Sequence, residues 1–326
     1  MVRLAVALGD PTGIGPEVLA KALAAPLAAA VLLIGDAATW EEAQRIAQVY
    51  LPLRPARRPD RPADGSVPFL DVPVPGRAWR SGEMSPAGGR AAVAWLERAV
   101  TLALTGEADA VVFAPLNKAA IVRAGYAVRD EYDLCARWTN ATDHSEMNVI
   151  PHPAGPGLLW VARVTAHIAL AAVAGSLSIE GVLRTIRLAH RTAARAGGTP
   201  RLGVAALNPH AGEDGLLGDE EERVIRPALE AARGEGIDAS GPYPADHIFR
   251  LARDGRFDVV VAMYHDQAQI ATKLLGFEQG VSVGVGYPFV LATPSHGTAF
   301  DITGRGVADP RPMRQTLELA ARLAAG

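Results

Sequence analysis

The chain has a single cysteine, Cys135, among 326 residues. An intramolecular disulfide and any cysteine-built zinc module are therefore excluded, and a reducing cytoplasm is the expected compartment. Long greasy segments are missing as well. The opening run MVRLAVALGD is too short for a signal peptide, and the longest apolar stretches are broken by Pro26, Arg163 and His167, so neither a leader nor a membrane span is expected. Charge of one sign is also lacking: 32 basic against 35 acidic residues leave a formal net charge of −3. That balance gives no global attraction to nucleic acid or an anionic membrane, and an anionic ligand must be held by a local site. No internal repeat is present.

What is there is an apolar content of 49% arranged as strand-like runs alternating with helical periods. Val2 to Leu8 reads as a strand, followed by the loop GDPTGIGPE and a helix from Pro16, where proline suits the first turn. Val31 to Ile34, Ala110 to Ala114, Val281 to Val285 and Phe289 to Leu291 read as further buried strands. Helices are expected over Thr39 to Val49, Pro86 to Leu104 with Gly106 behind it, Ser178 to Ala196, Gly218 to Arg233 and Pro312 to Ala325. Pro52 to Arg80 is a proline-rich surface excursion in which only Val67 to Val74 resembles a strand. Ala127 to Asn148 has no clear period. The alternation implies an α/β protein with a mostly parallel sheet covered by helices.

Three apolar runs share one feature. LLWVARVTAH at Leu158 to His167, LGVAALNPH at Leu202 to His210 and VVVAMYHDQ at Val259 to Gln267 each end on or just before a histidine. Ligands of open α/β sheets bind beyond the carboxyl ends of the strands. Histidines delivered there from separate strands can form a His₃ metal site with an open position, as catalytic zinc requires. A lone histidine is ordinarily a surface or core residue, and His152, His190 and His247 lack this context. The shared strand-end placement singles out His167, His210 and His265, with Asn208 and Asp266 as neighbours able to orient them. Lys118 adds a fourth polar group after the strand ending at Ala114.

Two glycine-rich loops bracket the chain. Gly9 to Glu17 lies between a strand and a helix, so backbone amides there face an anion readily. Ser295 to Asp309, SHGTAFDITGRGVAD, carries too many small and polar residues for a simple turn.

At these loops the sequence resembles a known superfamily. GDPTGIGPEV is similar to the GDGIGPEV opening of isopropylmalate and isocitrate dehydrogenases, and HGTAFDITGRGVADP resembles the HGSAPDIAGKGIANP loop that holds the adenosine half of NAD in those enzymes. With NPHAGEDGLLGDEE, GPYPADHIF and MYHDQ, the chain resembles the 4-hydroxythreonine-4-phosphate dehydrogenase family over essentially its whole length. The resemblance implies a two-lobed fold with a central cleft, residues 1–125 plus 275–326 forming the cofactor-side lobe and 126–274 the metal, substrate and dimerisation lobe. It implies NAD or NADP as cofactor, contacted by Gly9, Asp10, Gly13, Gly15, His296, Gly297, Thr298, Ala299 and Asp301. It also implies a divalent metal, zinc before magnesium, manganese or cobalt, on His167, His210 and His265, in a site shared across a homodimer. The reaction implied is oxidation of a secondary alcohol followed by decarboxylation of the β-keto acid, with Lys118, Asp246 and Asp266 as candidates for proton transfer.

The substrate residues depart from the family pattern. Its His-Thr pair corresponds to His144 and Ser145 and its lysine to Lys273, but an asparagine and an arginine are replaced by Ser282 and Leu291. Arginine is the natural bidentate partner of phosphate. Its loss opens the alternative of a non-phosphorylated substrate, such as another hydroxy acid or the carboxylated cis-dihydrodiol of terephthalate breakdown, and an arginine restored at position 291 is expected to improve activity on phosphorylated substrates. The terephthalate relative lacks the match to Asn117 and Lys118, which places this chain between the two patterns. A non-catalytic binding protein is the remaining alternative, opposed by the intact histidines, Lys118 and HGTA.

Overall fold

The computed structural model describes residues 1–276 and 280–326. Its strands are β1 (Arg3–Ala7), β2 (Ala30–Gly35), β3 (Leu53–Pro55), β4 (Val67–Asp71), β5 (Ala110–Phe113), β6 (Ser145–Pro151), β7 (Leu158–Arg163), β8 (Leu202–Ala205), β9 (Ala239–Tyr243), β10 (Val259–Ala262), β11 (Val281–Val285) and β12 (Val290–Pro294). The chain divides into two compact units, Met1–His144 with Val281–Ala325, and Ser145–Gly280 with Gly326. Of the return segment expected over 275–326, residues 277–279 lie outside the described residues.

In the first unit the strands run in the order β3-β4-β2-β1-β5-β12-β11. All neighbours pair in parallel except β12 with β11. β2 and β5, and β1 after Arg3, are apolar and almost wholly buried, the signature of strands covered on both faces. The helix Pro86–Leu104 starts on Ser85, whose hydroxyl accepts from the Ala87 amide, and it packs Val93 against Ile121 and Leu134. That cluster holds the helix Glu131–Thr139, within the segment that showed no period, in the first unit. Asp130 caps this helix by accepting from the Asp133 amide. The signal was therefore an Asx cap rather than a hydrophobic stripe.

In the second unit the order is β6-β7-β10-β8-β9. β6 and β7 are antiparallel, while β7, β10, β8 and β9 run in parallel. Register matches Val259 with Trp160 on one side and with Leu202 on the other. At the amino end, Asp258 fixes the β8–β10 pair: its carboxylate accepts the Arg201 backbone amide at 2.9 Å and a two-nitrogen fork from the Arg201 guanidinium, both at 2.9 Å. Behind the strands, Ile248, Phe249, Phe257, Val260 and Leu159 form one buried cluster.

The strands end earlier than their apolar runs suggested. β7 stops at Arg163, β8 at Ala205 and β10 at Ala262, so His167 and His210 stand on loops and His265 opens the helix His265–Gly276. Similarly, the helix expected over Gly218 to Arg233 is a π-helical turn, Glu221–Ile225, running into Arg226–Gly234.

The Arg201 guanidinium holds the Asp258 carboxyl below the usual carboxylate range. The stability this contributes is fully present above the unfolded-state pKa and is lost as pH falls through the lowered folded value. Asp258→Asn is expected to cost about 1 kcal/mol near neutral pH for this partly exposed pair, and the gap from wild type to close below pH ~4. Urea midpoints measured across that range check it.

Candidate functional site

The parallel register of β7, β10 and β8 places three loops at the same end of three neighbouring strands. His167 and His265 meet there, their ring centroids 5.4 Å apart. His265 Nδ1 is 2.9 Å from Asp266 Oδ1. His210 Nδ1 is 2.6 Å from Glu213 Oε1. A carboxylate on Nδ1 settles which nitrogen is left over, and in both rings that is Nε2, the arrangement by which metal-binding histidines are oriented. Asp266 is thus committed to His265. Asn208, expected beside the histidines, instead donates to Glu220 and Glu221. Among the described residues of one chain, no group of three His, Cys, Asp or Glu side chains closes into a metal-binding set; of the three expected histidines, His167 and His265 are the pair in ring contact.

The His210 loop is strained. His210, Ala211, Glu213 and Asp214 all have left-handed backbones, with φ of 53°, 58°, 43° and 53°, and His167 has φ 50°. Non-glycine residues in this region cost of order 1 kcal/mol or more each and persist only where their surroundings hold them. The holding group is Glu221, buried in the π-helical turn, whose Oε1 accepts the Leu207 and Asn208 amides at 2.8 Å. Glu221 was visible in the sequence only as part of the DEE run within NPHAGEDGLLGDEE.

In the same unit, Asp246 is exposed in the first turn of the helix Ala245–Arg253. Lys273 lies in the last turn of His265–Gly276, and Ser145 begins β6.

In the first unit, the two glycine-rich loops are pressed together. The Ile14 amide donates to the Thr298 carbonyl at 3.0 Å, and a Cβ on Gly13 would fall 2.7 Å from that of Thr298. Gly9, with φ 76°, passes so near β5 that a Cβ would sit 2.6 Å from the Ala114 oxygen. Gly15 opens the helix Gly15–Leu23 with proline in its first turn. Asp10 is wholly buried: Oδ1 accepts the Thr12 amide and hydroxyl, Oδ2 has no partner among the described residues, and burial raises its pKa. His296 donates from Nδ1 to the Gly297 carbonyl at 3.0 Å, leaving a buried Nε2 without a protein partner, and burial lowers its pKa. Two buried acceptors without donors, beside amides at a helix start, fit a ligand that brings hydroxyl or amino hydrogens and an anionic group, as a dinucleotide does. Ala299, with φ 42°, and Asp301 continue the second loop.

A cavity of about 290 Å³ adjoins these loops, lined by Gly13, Glu17, Thr303 and Gly304 and also by Arg77, Trp79 and Arg80. The sequence reading treated this end of the proline-rich stretch as plain surface. Lys118 heads the helix Lys118–Arg123 behind the Asn117 cap and lies 3.9 Å from Glu131 Oε2.

The substrate-side residues of this unit divide into two kinds. His144 meets Tyr287, with Nδ1 3.2 Å from the phenol oxygen. Ser282 is buried, its hydroxyl 3.1 Å from that of Ser295. Leu291 has no exposed surface. Opposite it, Gly284 is walled by Leu291, Tyr132 and Tyr287, each within about 3 Å of where a Cβ would stand. Leu291, expected among the substrate contacts, here fills an apolar nest with Tyr132 and Tyr287.

Comparison with known proteins agrees with this architecture. The family described as "Pyridoxal phosphate biosynthetic protein PdxA" matches residues 27–320. The chain belongs to this family. A D-threonate 4-phosphate dehydrogenase of Cupriavidus necator is 41% identical over 98% of this chain and 97% of its own. The solved 4-hydroxythreonine-4-phosphate dehydrogenase of Klebsiella pneumoniae superposes with a TM-score of 0.86 at 37% identity, covering 99% of this chain and 100% of that one. A terephthalate 1,2-cis-dihydrodiol dehydrogenase of Burkholderia xenovorans has a TM-score of 0.69 at 30% identity, covering 98% and 97%. No helix of the described residues is long and apolar enough to cross a membrane.

Leu291→Arg tests the nest directly. A guanidinium buried there without a partner is expected to cost about 3–5 kcal/mol and to bring no gain on phosphorylated substrates, as thermal melts and steady-state rates of the variant will show.

Proposed function

We propose that this chain is a metal-dependent, NAD(P)-linked dehydrogenase that oxidises a secondary alcohol and decarboxylates the resulting β-keto acid. The observation that carries this reading is the trio of strand-end histidines, two of them held at Nδ1 by carboxylates so that Nε2 is left for a ligand. His167, His210 and His265 would hold a divalent cation, zinc or another such ion, which would supply Lewis acidity to the reaction. The NAD or NADP nicotinamide supplies the hydride acceptor. Everything else falls to the chain. Gly9 to Gly15 and His296 to Asp301 hold the dinucleotide through backbone amides and the buried acceptors Asp10 Oδ2 and His296 Nε2. Lys118, an exposed ammonium, and Asp246, an exposed carboxylate, are the proton donor and acceptor, while Asp266 orients His265.

A second copy of the chain completes the metal site, as the family resemblance implies; among the described residues of one chain, no three candidate ligands close into a set. Cytoplasmic residence fits the lone buried Cys135.

The substrate class is a short hydroxy acid. Relatives named for 4-hydroxythreonine 4-phosphate and D-threonate 4-phosphate favour a phosphorylated four-carbon chain, with His144, Ser145 and Lys273 as its contacts. The sealed apolar nest at Leu291 favours a second reading, a substrate without phosphate, as in the dihydrodiol dehydrogenase.

Metal analysis followed by NAD(P) reduction over both phosphorylated acids and their unphosphorylated counterparts separates these readings. Metal-free protein that binds dinucleotide without turnover would establish a binding protein instead. His210→Ala is expected to lose bound metal and activity together, by about 100-fold or more, and full activity in the metal-depleted variant would defeat the metal assignment. Light scattering is expected to report a dimer.

A further inference from the structure

We infer that Tyr287 is a positioning residue that locks His144 in its Nδ1–H tautomer, so that His144 receives a hydroxyl or amine hydrogen of the substrate and not its anionic oxygens. The number of hydrogens available at this contact decides the tautomer. The Tyr287 phenol has one. Its oxygen lies 2.9 Å from the Tyr132 backbone carbonyl and 3.2 Å from His144 Nδ1. The carbonyl can only accept, so the phenol hydrogen goes to Tyr132. The contact to His144 is then a hydrogen bond only if Nδ1 carries the proton and the phenol oxygen accepts it. In the neutral ring this leaves Nε2 as a lone pair, and among the described residues Nε2 has no protein partner.

The phenol is fixed in this role. Tyr287 is buried against Gly284, Leu291 and Tyr132, its ring centroid is 5.7 Å from that of His144, and burial keeps the hydroxyl protonated far above neutral pH. The same nest that admits no guanidinium at position 291 thus reaches His144 through Tyr287. An imidazole presenting a lone pair repels a phosphate or carboxylate oxygen and attracts a hydroxyl, which makes His144 a reader of the substrate's donor groups. The inference deepens the proposed function and rests on its placement of His144 among the substrate contacts.

The test uses full-length, ligand-free protein carrying isotope-labelled histidine, above the histidine titration range, with His144→Ala to assign the signals. Long-range nitrogen–proton correlation is expected to show His144 with Nδ1 protonated. In Tyr287→Phe the ring is expected to shift toward the Nε2–H form, and KM for the best hydroxy-acid substrate to rise about tenfold, with kcat changed far less. An Nε2–H ring in the wild type, or an Nδ1–H ring that persists in Tyr287→Phe, overturns the inference. Should the variant fail to fold, the wild-type spectrum alone decides. Absence of dehydrogenase activity would defeat the functional reading while leaving the tautomer result standing.

Discussion

Everything that gives the second unit its chemistry depends on the register between β10 and its two parallel neighbours. A parallel pair has no hairpin to set its alignment, so the alignment must come from side chains and from the pattern of buried residues. Here the Arg201–Asp258 fork at the amino ends fixes β8 against β10, and the carboxyl ends then fall level. A slip of one residue would turn the valines of β10 to the wrong face and carry His265 away from His167. The ion pair lies at the opposite end of the strands from the histidines. Its contribution to function is alignment.

Much of this was legible in the sequence. Continuous apolar runs identified β2, β5, β7, β8 and β10, while helical periodicity located Pro86–Leu104 and the helix that starts behind Ser178. Strand ends were harder to read, because hydrophobicity continues into buried loops: Ala206 and Met263 are as buried as the strands before them. The site was legible where residue type and position coincide, as for the histidines, and illegible where the partner is remote. Glu213 on His210 could be guessed from proximity. Tyr287 on His144 could not, since 143 residues separate them and tyrosine in an apolar run reads as packing. The substitution at Leu291 was visible as a lost charge, but that the space is closed by Tyr132 and Tyr287 is a fact of packing only.

These features suggest how one fold serves more than one substrate. The two glycine-rich loops are constrained by backbone contact, with Gly13 against Thr298 and Gly9 against the end of β5, and little variation is possible there without steric conflict. The residues around Leu291 are constrained only by volume. Replacing a guanidinium with leucine and filling the remainder with aromatic rings preserves the packing while removing a contact for an anion. Side chains can therefore change in this corner more freely than in the glycine-rich loops.

The run of left-handed residues from His210 to Asp214 has a consequence of its own. A loop held in a costly backbone shape by one buried carboxylate behaves as a loaded spring, with Glu221 as its catch. Selection for stability alone would relax it, by placing glycine at Ala211 or Glu213, and would blur the direction in which His210 points. Side chains at these angles cost the folded state stability and in return fix the direction of His210.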